Sequence, residues 1–208
     1  MRLKLQASEN VAERVYDGAL GYNAVIDVPV GADAVYIRDG AVEAVLGEGS
    51  STVNAANPFK ALTRCKERQQ IYVVNRTKQF ETLWGTGGIP FSDRSGKAAT
   101  AGANGSYAFA VDNPSALLRK FGFPEVISVT DVKMKLKPEV TGAVKEAVMA
   151  AIESGVYNVG AKTDEIRVRV QEKLERVFNE YGLFLDVIRI EEVTGFYGGG
   201  DGEEAGSN

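Results

Sequence analysis

Few residues of this chain have the types and spacing that chemistry needs. Glu191 and Glu192 form a carboxylate pair. Sequence neighbours in a strand point to opposite faces and do not easily share a proton, so no acid–base role is assigned to them. Residues 85–88, Gly-Thr-Gly-Gly, have the glycine content of a phosphate loop. They lack its Lys-Ser/Thr pair and do not lead into a helix, so they read as a β-turn. Gly198, Gly199 and Gly200 read as linker. Cys65 is the single cysteine, and histidine is absent. That excludes an intramolecular disulfide, a Cys-based zinc site, the Ser-His-Asp arrangement and the commonest general base. Cys65 reads as a small, part-buried apolar side chain. Any catalysis would have to run on carboxylates, Lys or a Ser-Lys pair. No catalytic, cofactor or metal residue is assigned.

Two basic clusters remain. Lys133, Lys135 and Lys137 alternate with Met134 and Leu136, and this ridge reads as a solvated face. Lys60, Arg64, Lys66 and Arg68 accompany Phe59, Leu62 and Cys65 in an expected loop. Cations beside apolar side chains suit an anionic lipid surface, at about 1 kcal/mol per cation close to it. Phe59, Lys60, Leu62, Arg64, Lys66 and Arg68 are therefore the candidate residues for partner or membrane contact, with a plain surface loop as the competing reading. Asn75-Arg76-Thr77 and Asn104-Gly105-Ser106 match the glycosylation spacing. With no secretion signal read at the N-terminus these matches are chance, and Asn104–Gly105 reads as a tight turn.

Composition narrows the class. The 208 residues suit one large domain or two small ones. Hydrophobic residues make up 44%, enough for a core, and charged residues 25%. The longest apolar run of the helical half, residues 147–152, is far shorter than the roughly 18 residues of a membrane span. The expectation is a cytoplasmic protein with any membrane contact peripheral, at the inner face. Net charge is −4, but every Lys and Arg lies at or before Arg189. Five acids follow it (Glu191, Glu192, Asp201, Glu203 and Glu204), so residues 1–190 carry +1. A near-neutral body gives no footprint for nucleic acid.

The elements that would position any site follow from periodicity. Residues 10–16 read as a helical turn and 24–28 as a short strand. Residues 35–38 and 42–46 form a hairpin about Asp39–Gly40, a favoured two-residue turn. Residues 51–54 are polar and β-prone. Residues 71–75 and 79–84 form a second β unit, followed by 89–92. Residues 93–105 read as a loop or weak strand. Tyr107, Phe109 and Val111 alternate with alanines, a period-2 strand that Asp112-Asn113-Pro114 stops. Ser115 would cap a short helix over 116–121. Val132, Leu136, Val140, Val144, Val148 and Ile152 make a helical stripe with Pro138 inside it, so a long helix with a defect is expected, ended by Gly155. A second helix spans 164–181, with Ile166, Val170, Leu174, Val177 and Tyr181 as its apolar face and Gly182 as its stop. Residues 183–193 form a closing strand. Beyond them the Gly-rich acidic tail is expected to be disordered. Segregated strands and helices argue α+β.

Four segments carry a resemblance. Residues 32–46, ADAVYIRDGAVEAVL, with Gly47-Glu48-Gly49 after them, are similar to an opening hairpin of the form AVF-rdG followed by fGpG. Residues 71–93 match vYFvn-t…WGT…PI…D through Tyr72, Val73, Val74, Asn75, Trp84, Gly85, Thr86, Ile89, Pro90 and Asp93. Residues 105–118, GSYAFAVDNPSALL, resemble G-y-f-v-dp-kfl, and Glu180-Tyr181-Gly182-Leu183 resembles eYGle. Together they resemble the SPFH superfamily (band 7 or PHB: stomatin, prohibitin, flotillin), and within it the soluble bacterial branch labelled virion-core-protein-like. The resemblance covers about residues 30–195. It implies an α+β domain: a curved antiparallel sheet with packed helices, a long C-terminal helical pair and a closing strand. Residues 1–29 would be a lead-in and 196–208 the tail. Neither the membrane hairpin nor the long coiled coil of stomatin-like relatives is read here, and one Cys without His excludes the zinc ribbon of the soluble branch.

The resemblance implies a non-enzymatic scaffold that self-associates or binds partner proteins. Strand edges and the side chains of Phe59, Leu62 and Trp84 are the expected contact points, but for Trp84 a place in the core is the preferred reading. The alternatives are a ligand-binding module and a His-free carboxylate hydrolase.

Overall fold

The computed structural model describes residues 1–53, 67–92, 96–153 and 163–196. In chain order the elements are β1 (Arg2–Lys4), β2 (Ala12–Gly18), β3 (Ala24–Val28), β4 (Ala32–Arg38), β5 (Ala41–Leu46), β6 (Gly49–Val53), β7 (Gln69–Asn75), β8 (Phe80–Gly85), β9 (Ile89–Ser92) and β10 (Ala98–Val111). Then come α1 (Pro114–Phe121), β11 (Val126–Ile127), α2 (Val129–Glu153), α3 (Thr163–Glu180) and β12 (Leu183–Phe196). The class is α+β, as expected. Three sheets form, in the orders β1-β3-β6, β11-β2-β7-β4-β5 and β12-β10-β8, with β9 also on β10. The pairings of β2, β4, β7, β9 and β11 are antiparallel, whereas β1 lies parallel to β3.

The chain divides into two compact units. One comprises residues 1–82, 108–136 and 175–186, and the other residues 83–107, 137–174 and the chain from 187 onward. In the first unit, β4 and β7 sit inside the five-stranded sheet and are buried almost throughout. This explains their uninterrupted apolar runs: a strand covered on both faces has no polar side to show. Ala32, Ala34, Tyr36, Ile71 and Val73 share one face. They form a core with Ala24, Ile26, Val28 and Val53 of the three-stranded sheet. The hairpin β4–β5 turns on Asp39 (φ 45°) and Gly40 (φ 76°), the left-handed pair that a primed turn demands. Phe109 stacks on Phe80 at 5.6 Å and meets Phe178 at 6.4 Å.

The helices follow local chemistry. Pro114 stands in the first turn of α1 and Gly122 closes it in the left-handed region. Ser128 and Asp131 form a capping box at the start of α2: Asp131 N–H donates to Ser128 Oγ (3.2 Å) and Ser128 N–H to Asp131 Oδ2 (2.8 Å). The α2 stripe of Val132, Leu136, Val140, Val144, Val148 and Ile152 is buried throughout. The helix runs through Pro138. The hydrogen bond that Pro138 cannot make would have reached the Met134 carbonyl, and both residues are exposed, so water can serve that carbonyl.

Several expectations are corrected. Residues 10–16 lie largely in strand β2, whose period is broken by a register shift between Arg14 and Tyr16. β7 and β8 do not pair; β7 lies between β2 and β4, and β8 beside β10. Asn104–Gly105 is no turn, because β10 is one continuous strand of 14 residues. Asn113, not Ser115, caps α1, its Oδ1 accepting from Ala116 N–H at 3.0 Å. Phe178 takes the buried place that Val177 was expected to hold in the last turns of α3. β12 extends past Val193 to Phe196. Gly155 and residues 197–208 lie outside the described residues.

Candidate interaction surfaces

Among the described residues no group of three or more His, Cys, Asp or Glu is placed to hold a metal ion. The most developed polar cluster lies where β4 ends and β7 begins. Arg38 is buried. Its Nε lies 3.1 Å from Glu43 and 3.6 Å from Glu67, and its Nη2 donates to Tyr36 Oη at 2.8 Å. Tyr36 in turn donates to Gln69 Oε1. Arg38, Asp39, Val42, Glu43 and Glu67 line a hollow of about 370 Å³. The cation is already faced by two carboxylates, so this is an internal staple of the hairpin and not a receptor for an anion. Burial opposes the Arg38 charge, and Tyr36 and the two carboxylates raise its pKa above the ordinary value.

The sequence-selected cluster is only partly placed. Phe59, Lys60, Leu62, Arg64 and Lys66 lie outside the described residues. Arg68 is described, and its guanidinium is held by Asp17 in a two-point grip (2.7 and 2.6 Å) while its side chain stays 68% exposed. Asp17 also accepts from Gln70 (3.0 Å) and lies 3.6 Å from Arg14. These bonds, Arg68 first, hold the Asp17 carboxyl well below the usual carboxylate range.

A second hollow, of about 310 Å³, is lined by small residues, among them Gly85, Gly87, Thr100, Gly102 and Thr194. Thr86, between Gly85 and Gly87, is tied to β10. Its N–H donates to the Ala103 carbonyl (2.9 Å) and its Oγ1 accepts from Ala103 N–H (3.0 Å). Among the described residues no charged side chain lines the hollow. Trp84 is buried, its Nε1–H donating to the Ser106 carbonyl at 3.2 Å. This agrees with the preferred core reading of Trp84 and removes it from the expected contact points, because the indole fills the sheet's own packing.

Other motif residues settle into structural or surface settings. Asn75 is buried and donates to the carbonyls of Ser8 (2.6 Å) and Asn10 (2.5 Å), so it is unavailable for glycosylation. Lys133, Lys135 and Lys137 lie on a helix. At about 100° per residue, Lys135 diverges from the side shared by Lys133 and Lys137, and no alternating ridge forms.

Sheet edges are the remaining surfaces. β5 and β12 each end a sheet order. β12 is 14 residues long, well beyond the common strand length of about five or six. Phe184, Arg189, Glu191 and Glu192 of β12 are exposed. Its backbone approaches β10 unusually closely: a Cβ on Gly105 would lie 2.0 Å from the Arg189 carbonyl oxygen. Sequence reading missed both facts because they depend on which strand lies beside which. The glycine at 105 was the one visible sign, and its use in a close approach was masked by its Asn-Gly context. Among the described residues no helix is long and apolar enough to cross a membrane.

No individual curated protein matches this chain. A model of the SPFH domain-Band 7 family matches residues 13–195, most of the chain, and the chain therefore belongs to that family.

Proposed function

We propose that this protein is a non-enzymatic scaffold of the SPFH type, on the cytoplasmic side, which self-associates or binds partner proteins and touches the membrane peripherally. The family is broadly one of scaffolding, membrane-associated proteins and is generally non-enzymatic. The observation that carries the reading is β12, a long strand at the end of its sheet order. An open edge presents a row of unpaired N–H and C=O groups, and native proteins cover, interrupt or use such edges. Membrane contact is assigned to Phe59, Lys60, Leu62, Arg64, Lys66 and Arg68, where cations and apolar side chains mix. Arg68 has the weakest claim, since lipid phosphate would have to displace Asp17.

Light scattering on the purified protein, with and without anionic liposomes, tests this. The expected result is a mass above that of one 22.3 kDa chain and co-migration with the vesicles. A monomer that ignores lipid would overturn the reading.

A further inference from the structure

We infer that β5 pairs with β5 of a second copy of this chain, antiparallel about a two-fold axis at Val45, so that the five-stranded sheet continues from one copy into the other. The inference rests on the self-association just proposed and gives it a surface and a geometry. β5 ends its sheet order beyond β4. Which of its main-chain groups are free follows from β4. Arg76 N–H donates to the Gly31 carbonyl (2.9 Å), and Asp39 N–H donates to the Arg68 carbonyl (3.1 Å). Gly31 and Asp39 flank β4 and both direct these groups to the β7 side, and the β4–β7 register runs between them without a shift. Successive residues of a strand direct their main-chain groups to alternate edges. Ala34 and Tyr36 therefore face β5, where they lie opposite Leu46 and Ala44. Val45, between those two, directs its N–H and C=O to the outer edge, where no strand of the described residues pairs. The register shift of β5 falls at Glu43, on the hairpin side of Ala44, and leaves this alternation intact.

Whatever covers this edge must match it on both faces. Val45 is exposed on one face, and Ala44 and Leu46 pack half-buried against the core on the other. Charge and brevity are common ways of blunting an edge. β1 carries Arg2 and Lys4, and β11 has two residues, whereas β5 from Ala44 to Leu46 has neither charge nor bulge. A second β5 supplies the same apolar residues, and one two-fold register uses them. Centred on Glu43, the pairing sets carboxylate against carboxylate. Centred on Ala44, it sets the exposed Val45 against Glu43 twice. Centred on Leu46, it sets Val45 opposite Gly47, which has no side chain to offer. Centred on Val45, it sets Val45 against Val45, Ala44 opposite Leu46 twice, and Glu43 opposite Gly47. No charge then meets its like, and the Arg38–Glu43 pair is undisturbed. Val45 exchanges two main-chain hydrogen bonds with its mate, and the Ala44–Leu46 pairs carry the apolar face of the sheet across the axis.

The test is sedimentation equilibrium of the full chain and of Val45→Lys, with circular dichroism as the check on folding. The substitution sets two ammonium groups against each other at the axis, and the expected result is a rise in the dimer dissociation constant of about tenfold or more. Cross-linking reads the register. A residue on the axis faces its own mate with Cα atoms about 5.5 Å apart, within the reach of a disulfide. Val45→Cys, with Cys65→Ser to remove the native thiol, should therefore give a disulfide-linked dimer on oxidation. Ala41→Cys in the same background should not, because Ala41 and its mate would stand about 26 Å apart along the strands. Hydrogen exchange gives an independent readout: the Val45 amide should gain protection as concentration rises. A chain that stays monomeric at every concentration would overturn self-association itself. Assembly that is unchanged by Val45→Lys overturns the β5 pairing and leaves self-association standing. Assembly weakened by Val45→Lys, but with Ala41→Cys linking in place of Val45→Cys, overturns the register.

Discussion

Gly105 shows how one residue can mislead a reading of sequence and still be necessary to the fold. In Asn-Gly context it looks like a turn, yet it lies inside β10 where the Arg189 backbone leaves no room for a side chain. A Cβ there would also approach Trp84 Cζ2 to 3.0 Å. Backbone cannot swing aside as a lysine tip can, so Gly105→Ala is expected to cost about 2–3 kcal/mol of unfolding free energy. Gly142 is the contrasting case. It sits in α2 with nothing within 4 Å of its missing Cβ. Gly142→Ala should stabilise by about 0.5–1 kcal/mol through helix propensity. Urea midpoints of the two variants should move in opposite directions. Equal and small effects would mean that β12 does not approach β10 as closely as the Gly105 contact requires.

At the scale of elements, legibility depended on whether the determining contacts are local. The β4–β5 hairpin could be read because Asp39 and Gly40 carry its turn by themselves. The α2 stripe could be read because six apolar residues at four-residue spacing define one face. β2 could not, since its register shift destroys the alternation that would mark a strand. Only the end of β10, where Tyr107, Phe109 and Val111 alternate, could be read; its first part could not, because its alanines and glycines show no alternation of apolar and polar side chains. Of the proposed interaction surface, the basic apolar cluster rests on sequence alone, whereas neither the β12 edge nor the Arg38 staple, which joins residues 29 positions apart, could be read there. The smallest sheet shows how such non-local pairs respond to pH. Arg2 grips Asp27 at 2.7 and 3.0 Å, and Ser50 donates to it at 2.5 Å, so one carboxylate ties β1, β3 and β6 together. Those bonds, Arg2 first, hold the Asp27 pKa down to about 2. A depressed carboxylate stabilises the fold above its unfolded pKa and loses that contribution as pH falls through the folded value. The Asp27 contribution is thus complete above about pH 4 and fades towards pH 2. Asp17 acts in the same direction, whereas Asp33 is raised because burial outweighs Arg76. Asp27→Asn should lower the urea midpoint at pH 7, with the gap to wild type closing as pH falls from 4 to 2. A gap that stays constant with pH would remove Asp27 from the acid response.

On the scale of the whole molecule, charge is divided between a body at +1 and an acidic C-terminal end. Global attraction to an anionic membrane is therefore weak, and any binding must come from local groups such as Lys60, Arg64 and Lys66 working against the end of the chain. Ending the chain at residue 196 removes Asp201, Glu203 and Glu204 and takes the net charge from −4 to −1. A charge close to an anionic surface is worth about 1 kcal/mol, so each acid removed can raise vesicle affinity by at most about fivefold. The gain depends on distance, because screening shortens the reach of charge from about 10 Å at 0.1 M salt to about 3 Å at 1 M. Co-sedimentation with anionic vesicles should therefore rise on truncation at 0.1 M salt, and the two proteins should converge at 1 M. If truncation leaves binding unchanged at low salt, the acidic end lies beyond electrostatic reach of the contact. The opposition between body and tail would then play no part in docking. If the gain persists at 1 M, the tail acts by steric cover and not by charge, since excluded volume is indifferent to salt.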